Sequence, residues 1–178
     1  MKTIDEQMAI YASYHRDPRN KLTHFFGVPM IVFAILLALS WIRIPLGEAS
    51  TTGAVIFVAV VLVYYFRLDV ALALVTGLFT IILLWLADIA SKASFATGLA
   101  LFLFTFVVGW IIQLVGHYFE GRKPALADNL FQIFVAPIFL AAEVFFALGK
   151  KRELHEAVER RVAAMRARAP DGNVATSI

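Results

Sequence analysis

No cysteine occurs in the 178-residue chain. Disulfides, thiolate metal sites and cysteine nucleophiles are thereby excluded, and any metal must be held by imidazole and oxygen. Charge is scarce as well. Asp, Glu, Lys and Arg make up 16% of the residues, where a soluble domain carries about a quarter. No secretory signal stands out in residues 1–21, which contain Asp5, Glu6 and Asp17 and no apolar core before a cleavage site. The first apolar run is therefore expected to stay as an anchor. Histidine is rare too, with only four.

What is abundant is apolar surface. Hydrophobic residues make up 61% of the chain, more than one domain of this length can bury in water. The expected solvent is lipid. Apolar runs extend over Leu22–Ile44, Ala54–Phe66, Val70–Ala87, Phe95–Phe119 and Leu130–Leu148. The fifth carries Gln132, Pro137 and Glu143, which suit a segment packed inside protein better than a lipid-facing helix.

Lys and Arg help to decide whether that fifth run crosses. If four runs cross and the fifth dips in and returns, one face holds Lys2, Arg16, Arg19, Lys21, Arg67, Arg122 and Lys123. It also holds the tail residues Lys150, Lys151, Arg152, Arg160, Arg161, Arg166 and Arg168, leaving only Arg43 and Lys92 opposite. Five full crossings abolish this bias. The positive-inside rule favours four spans plus a re-entrant segment, with a five-span bundle as the alternative. Basic residues placed this way report topology and do not point to nucleic acid.

The fold expected is an all-α, polytopic transmembrane bundle with amphipathic interfacial helices at both ends. The N-terminal helix opens at a Thr3–Glu6 capping box and breaks at Asp17-Pro18. The C-terminal helix places Leu154, Val158, Val162 and Met165 on one face, suited to anionic headgroups. Residues 1–149 form the expected catalytic membrane domain and 150–178 a basic cytoplasmic tail, without structure after Pro170.

In the four-span arrangement His15, His24 and His117 share the cytoplasmic face. Glu120 follows His117 by three residues and so lies on the same side of a helix. Three imidazoles and a carboxylate are ligands that Fe(II), Zn(II) and Mn(II) accept. His155, amid the tail's charges, reads as an ordinary surface residue. Gln113, one turn before His117, reads as an interhelical hydrogen-bonding group. Glu143 is costly in a membrane unless paired or protonated, or bonded to an imidazole. Asp17, Asn20 and Asp128 read as turn or cap residues, and Gly27 and Gly116 as close-packing positions. A Phe- and Leu-lined interior could accept an acyl chain, which suggests a lipid-processing enzyme.

Three blocks add a resemblance: "YHRDPRNKLTHFFGVPM", "WIIQLVGHYFEGRKPAL" and "NLFQIFVAPIFLAAEV". Together, from about Tyr11 to Phe146, they resemble the family of membrane 2-hydroxy fatty acid dioxygenases. That resemblance implies Fe(II)-dependent α-oxidation, in which a 2-hydroxy fatty acid and O2 give the acid one carbon shorter, with C1 lost as CO2. It implies that His15, His24 and His117 are iron ligands, with Glu120 as fourth ligand or base. Arg16, Arg19 or Arg122 would hold the substrate carboxylate. Two other readings of the same residues are a zinc-dependent lipid hydrolase and a non-catalytic lipid-binding protein.

Overall fold

The computed structural model describes residues 2–121 and 131–168. Arg122, Lys123 and Asp128, and the stretch after Pro170, lie outside the described residues. Helix α1 (Ile4–Ser13) starts at the expected capping box, with the Glu6 carboxylate accepting from the Thr3 backbone N–H at 2.8 Å. Asp17 then caps α2 (Pro18–Ser40) by accepting from Arg19 N–H at 2.8 Å, and Pro18 occupies the first helical position, where its missing N–H costs nothing.

The described chain is helical as expected, and between the first two apolar runs it adds one short ribbon that the sequence did not signal. Strands β1 (Arg43–Leu46) and β2 (Ala49–Thr52) pair antiparallel, Arg43 opposite Thr52. Gly47, at φ +64°, makes the tight turn that a side chain would resist. Pro45 and Gly47 read from the sequence only as terminators, because four-residue strands leave almost no periodic signal.

Helix α3 (Gly53–Leu68) is capped by Thr52, and α4 (Val70–Ser91) follows after the single residue Asp69. That residue closes one helix and caps the next, accepting from Leu72 N–H at 3.0 Å and from Lys151 Nζ at 2.6 Å. Helix α5 (Phe95–Glu120) ends at Gly121, φ +67°. Helices α2, α4 and α5 are long and apolar enough to cross a membrane. Helix α3 has 16 residues, about 24 Å at 1.5 Å per residue, and is shorter than a hydrocarbon core of about 30 Å.

Helices α2 and α5 approach at glycines. A Cβ at Gly27 would sit 2.8 Å from Gln113 Cγ and 2.9 Å from the Gly109 carbonyl oxygen. One at Gly116 would overlap Thr23 Oγ1 and Asn20 Oδ1. Small residues let two backbones pack closely where lipid offers no hydrophobic drive between helices. The expected close-packing role of Gly27 and Gly116 is what the structure shows, and it sets the distance between His24 and His117.

Helix α6 (Gln132–Ala147) is buried at half of its residues and is tied to α3 by Tyr65 Oη, which donates to the Phe134 carbonyl at 2.6 Å. A bend of 115° leads into α7 (Arg152–Arg168). Here an expectation needs correcting. The amphipathic pattern of α7 suits headgroups, yet Val158 and Val162 are buried in the same core as Met8 and Tyr11 of α1. Salt bridges flank that contact, with Arg16 to Glu159 at 2.8 Å and Arg161 to Asp5 and Glu6. Amphipathicity says which face is apolar; it does not say what covers it.

Candidate metal centre

His15 lies in the turn after α1. Its ring stacks on Tyr11, centroids 4.0 Å apart and 5° from parallel, and its Nδ1–H donates to the Tyr11 carbonyl at 2.7 Å. His24, two turns into α2, makes the matching bond to the Asn20 carbonyl at 2.8 Å. A carbonyl oxygen can only accept, so both Nδ1 atoms carry the proton and both neutral rings have a bare Nε2. Those two Nε2 atoms face each other at 3.0 Å.

Two bare lone pairs at that distance repel unless a cation or a shared proton lies between them. A proton is disfavoured here. Burial, then the neighbouring His24, pushes the His15 pKa well below its ordinary value. A metal ion can bond both nitrogens at once, and those bonds offset the cost of its burial. His117 of α5 completes the set: one ring nitrogen from each of the three histidines lies within 4.8 Å of the others, and all three are buried. His117 Nδ1 is itself buried with no hydrogen-bond partner. The donor set fits a divalent transition metal. Three neutral imidazoles from three separate segments would hold such an ion, which could serve as a Lewis acid or redox centre there.

Glu120 faces elsewhere. Its carboxylate accepts from the Arg16 backbone N–H at 3.0 and 2.9 Å, from Asp17 N–H at 2.8 Å and from Asn20 Nδ2 at 3.1 Å. It ties the end of α5 to the α1–α2 turn that carries His15. Asn20 is fully buried and braces the same corner, with its carbonyl under His24 and its amide on Glu120 and on the Tyr14 carbonyl. Asn20 reads from the sequence as a turn residue, since its partner Glu120 lies 100 positions away and its bonds to Thr23 and His24 use its backbone carbonyl.

Among the described residues, the basic side chains Arg16, Arg19 and Lys21 around the site are already paired. Arg16 bonds Glu159 through one nitrogen to both oxygens, at 3.0 and 2.8 Å. Arg19 bonds Asp17 and lies 4.5 Å over the Phe119 ring, and its hydrogen bonds hold the Asp17 carboxyl down to about 2. Lys21 reaches Glu143 at 2.9 and 2.8 Å, which answers how that carboxylate is tolerated: by an ammonium and not by an imidazole. His155 stacks on Phe146, away from the cluster.

Beneath the histidines opens a cavity of about 280 Å³. Its walls are mostly apolar, including Val28, Ile31, Ile35, Val58, Leu62 and Phe134, with His15, His24 and His117 among its lining. Two amides also face it. Gln113 Oε1 and both amide atoms of Gln132 are buried without partners. The expected interhelical bond of Gln113 is therefore not made.

A family model described as "2-hydroxy-palmitic acid dioxygenase Mpo1-like" matches residues 1–148. The chain belongs to the Mpo1-like family. It is 37% identical over 159 residues to the 2-hydroxy-palmitic acid dioxygenase MPO1 of Saccharomyces cerevisiae (strain ATCC 204508 / S288c), covering 88% of this chain and 87% of that protein. No solved structure matches the chain. The Mpo1-like match includes His15, His24, His117, Glu120 and the cavity walls; α7 lies beyond it.

Proposed function

We propose that this chain is an Fe(II)-dependent dioxygenase that shortens 2-hydroxy fatty acids by one carbon, with His15, His24 and His117 as the iron ligands. One observation carries the reading: the two facing Nε2 atoms, 3.0 Å apart and buried, stand over an apolar cavity. Family membership supplies the substrate class. Fe(II) held there would activate O2 beside the C1–C2 bond of the acid. The stoichiometry closes on O2 as sole oxidant: acid and O2 give the acid one carbon shorter, CO2 and water.

The chain's own groups do the rest. The Tyr11 and Asn20 carbonyls fix both imidazole tautomers, so each ligand nitrogen is presented bare. Glu120 is a positioning residue, holding the turn under His15 through backbone N–H groups. The cavity takes the acyl tail and excludes water from the reacting end. Arg16 and Arg19 stand at the surface beside the site, where an entering carboxylate exchanges with Glu159 or Asp17. Residues 1–149 carry the site, and the tail from 150 braces α1. The distribution of Lys and Arg supports four spans, a fifth segment that returns, and a site facing the cytoplasm.

Oxygen uptake by detergent-purified protein, loaded anaerobically with Fe(II) and given 2-hydroxypalmitate, tests the proposal. Pentadecanoate and CO2 should form in equal amounts, one O2 each, and His24→Ala should abolish them. Turnover of a lipid ester or amide without O2 would instead establish the zinc-hydrolase reading.

A further inference from the structure

Gln113 is placed where a reader of the substrate's 2-hydroxyl would have to be. It lies one turn before His117 on α5, about 6 Å along the axis. Across the interface its stem lies against Gly27, three residues beyond His24, where an added Cβ would be 2.8 Å from Gln113 Cγ. The side chain is thus wedged between the helices that carry two of the three histidines, and it lines the cavity. It is 8% exposed, and its Oε1 is buried without a partner.

A buried amide oxygen with no donor is unfavourable unless a ligand supplies one. Gln132 Nε2 is an unpaired donor lining the same cavity, yet it makes no bond to Gln113 Oε1, which leaves the substrate as a source of the donor. A plain fatty acid offers no donor next to its carboxylate. A 2-hydroxy acid offers one, the hydroxyl proton at C2. Resting on the dioxygenase reading, we infer that Gln113 is the specificity-determining residue, its amide oxygen accepting the hydrogen bond of the 2-hydroxyl group. The amide holds that proton and does not remove it. Plain fatty acids leave the oxygen unpaired and are rejected, since a site built to bond a hydroxyl discriminates strongly against the analogue lacking it.

Binding, measured without turnover, tests this. Fe(II)-loaded protein kept anaerobic is titrated with 2-hydroxypalmitate and with palmitate, each displacing a fluorescent fatty acid. Wild type should prefer 2-hydroxypalmitate. Gln113→Met, unbranched and close in volume, should cut that preference about tenfold or more, through weaker binding of 2-hydroxypalmitate and tighter binding of palmitate, with iron content unchanged. If Gln113→Met fails to load iron, Gln113→Asn, which draws the amide back by one methylene, should show the same loss of preference. A wild-type preference that survives in the iron-loaded variant overturns the role of Gln113 and leaves the dioxygenase reading intact. No preference in wild type, with iron bound, overturns both the substrate class and the inference.

Discussion

His15 and His24 present their Nε2 atoms to each other at 3.0 Å, with both Nδ1 atoms committed to backbone carbonyls. The α1–α2 turn and helix α2, which carry them, thus hold two bare lone pairs in an arrangement that a shared cation relieves. Metal should therefore stabilise the folded protein. At 100 times its dissociation constant a ligand adds about 2.7 kcal/mol. Chelator-treated protein should melt several degrees lower than protein given Fe(II) under anaerobic conditions. In His24→Ala that difference should vanish, together with bound iron measured by elemental analysis. A variant that still gains stability from Fe(II) would remove His24 from the ligand set.

Glu120 separates a ligand from a strut. Glu120→Ala leaves the Arg16 and Asp17 N–H groups without their acceptor, at a cost of about 1–3 kcal/mol. Groups that orient ligands typically change metal affinity by about 10–100-fold without abolishing it. Iron should thus bind Glu120→Ala more weakly, yet reach one per chain at saturating metal, which His24→Ala should not. An iron titration of the two variants side by side decides the matter. Equal loss in both would make Glu120 a direct ligand.

The three histidines could be singled out from the sequence because histidine is rare here, with His24 and His117 near the ends of apolar runs and His15 a short way ahead of the first. Their partners could not. Glu120 works through the backbone N–H groups of Arg16 and Asp17, and a backbone group carries no residue identity to read. Glu143 was recognisable as needing a partner, but Lys21 lies 122 positions away. The β1–β2 ribbon was missed because a Pro and a Gly after a long apolar run signal an ending before they signal a turn. Gln113 was visible as polar, and only the fold shows that nothing pairs with its oxygen.

The α2–α5 contact should be intolerant of even one methyl group. A Cβ at Gly116 would overlap the Thr23 hydroxyl and the Asn20 amide oxygen, and Asn20 supports both His24 and Glu120. Overpacking costs about 1–3 kcal/mol, and here the strain falls on the metal site. Gly116→Ala should lose thermal stability and bind iron far more weakly. Gly121→Ala is the control. Nothing lies within 4 Å of a Cβ there, so only its left-handed φ of +67° is penalised, and iron affinity should be unchanged.

Acid should destabilise the metal-free protein through His15. Burial lowers the pKa of its imidazole in the folded chain well below the ordinary 6.5. Once unfolded, the ring takes up a proton near that ordinary value while the folded protein does not. Stability is therefore level above about pH 6.5 and falls as the pH drops below it. Iron affinity should fall in the same direction, because protons compete for the ligand nitrogens. Melting temperatures of chelated protein between pH 7.5 and 5.5 should show the decline, shallower in His15→Gln. An equal slope in the variant would assign the effect to other groups.

The contact between α7 and α1 yields the prediction that most sharply separates packing from charge. Val158 and Val162 are each 2% exposed, whereas the Arg16–Glu159 pair is substantially solvated. Exposed pairs contribute about 0–1 kcal/mol, so Glu159→Ala should be nearly silent in a thermal melt. Val158→Asp buries a carboxylate with no partner, which the helix can avoid only by detaching. Detachment frees one side of α1, and with it the Tyr11 ring on which His15 stacks. The variant should melt lower, bind iron more weakly and become open to protease between α6 and α7. Wild-type melting and iron binding in Val158→Asp would mean that this face rests on lipid, as its amphipathic pattern first suggested.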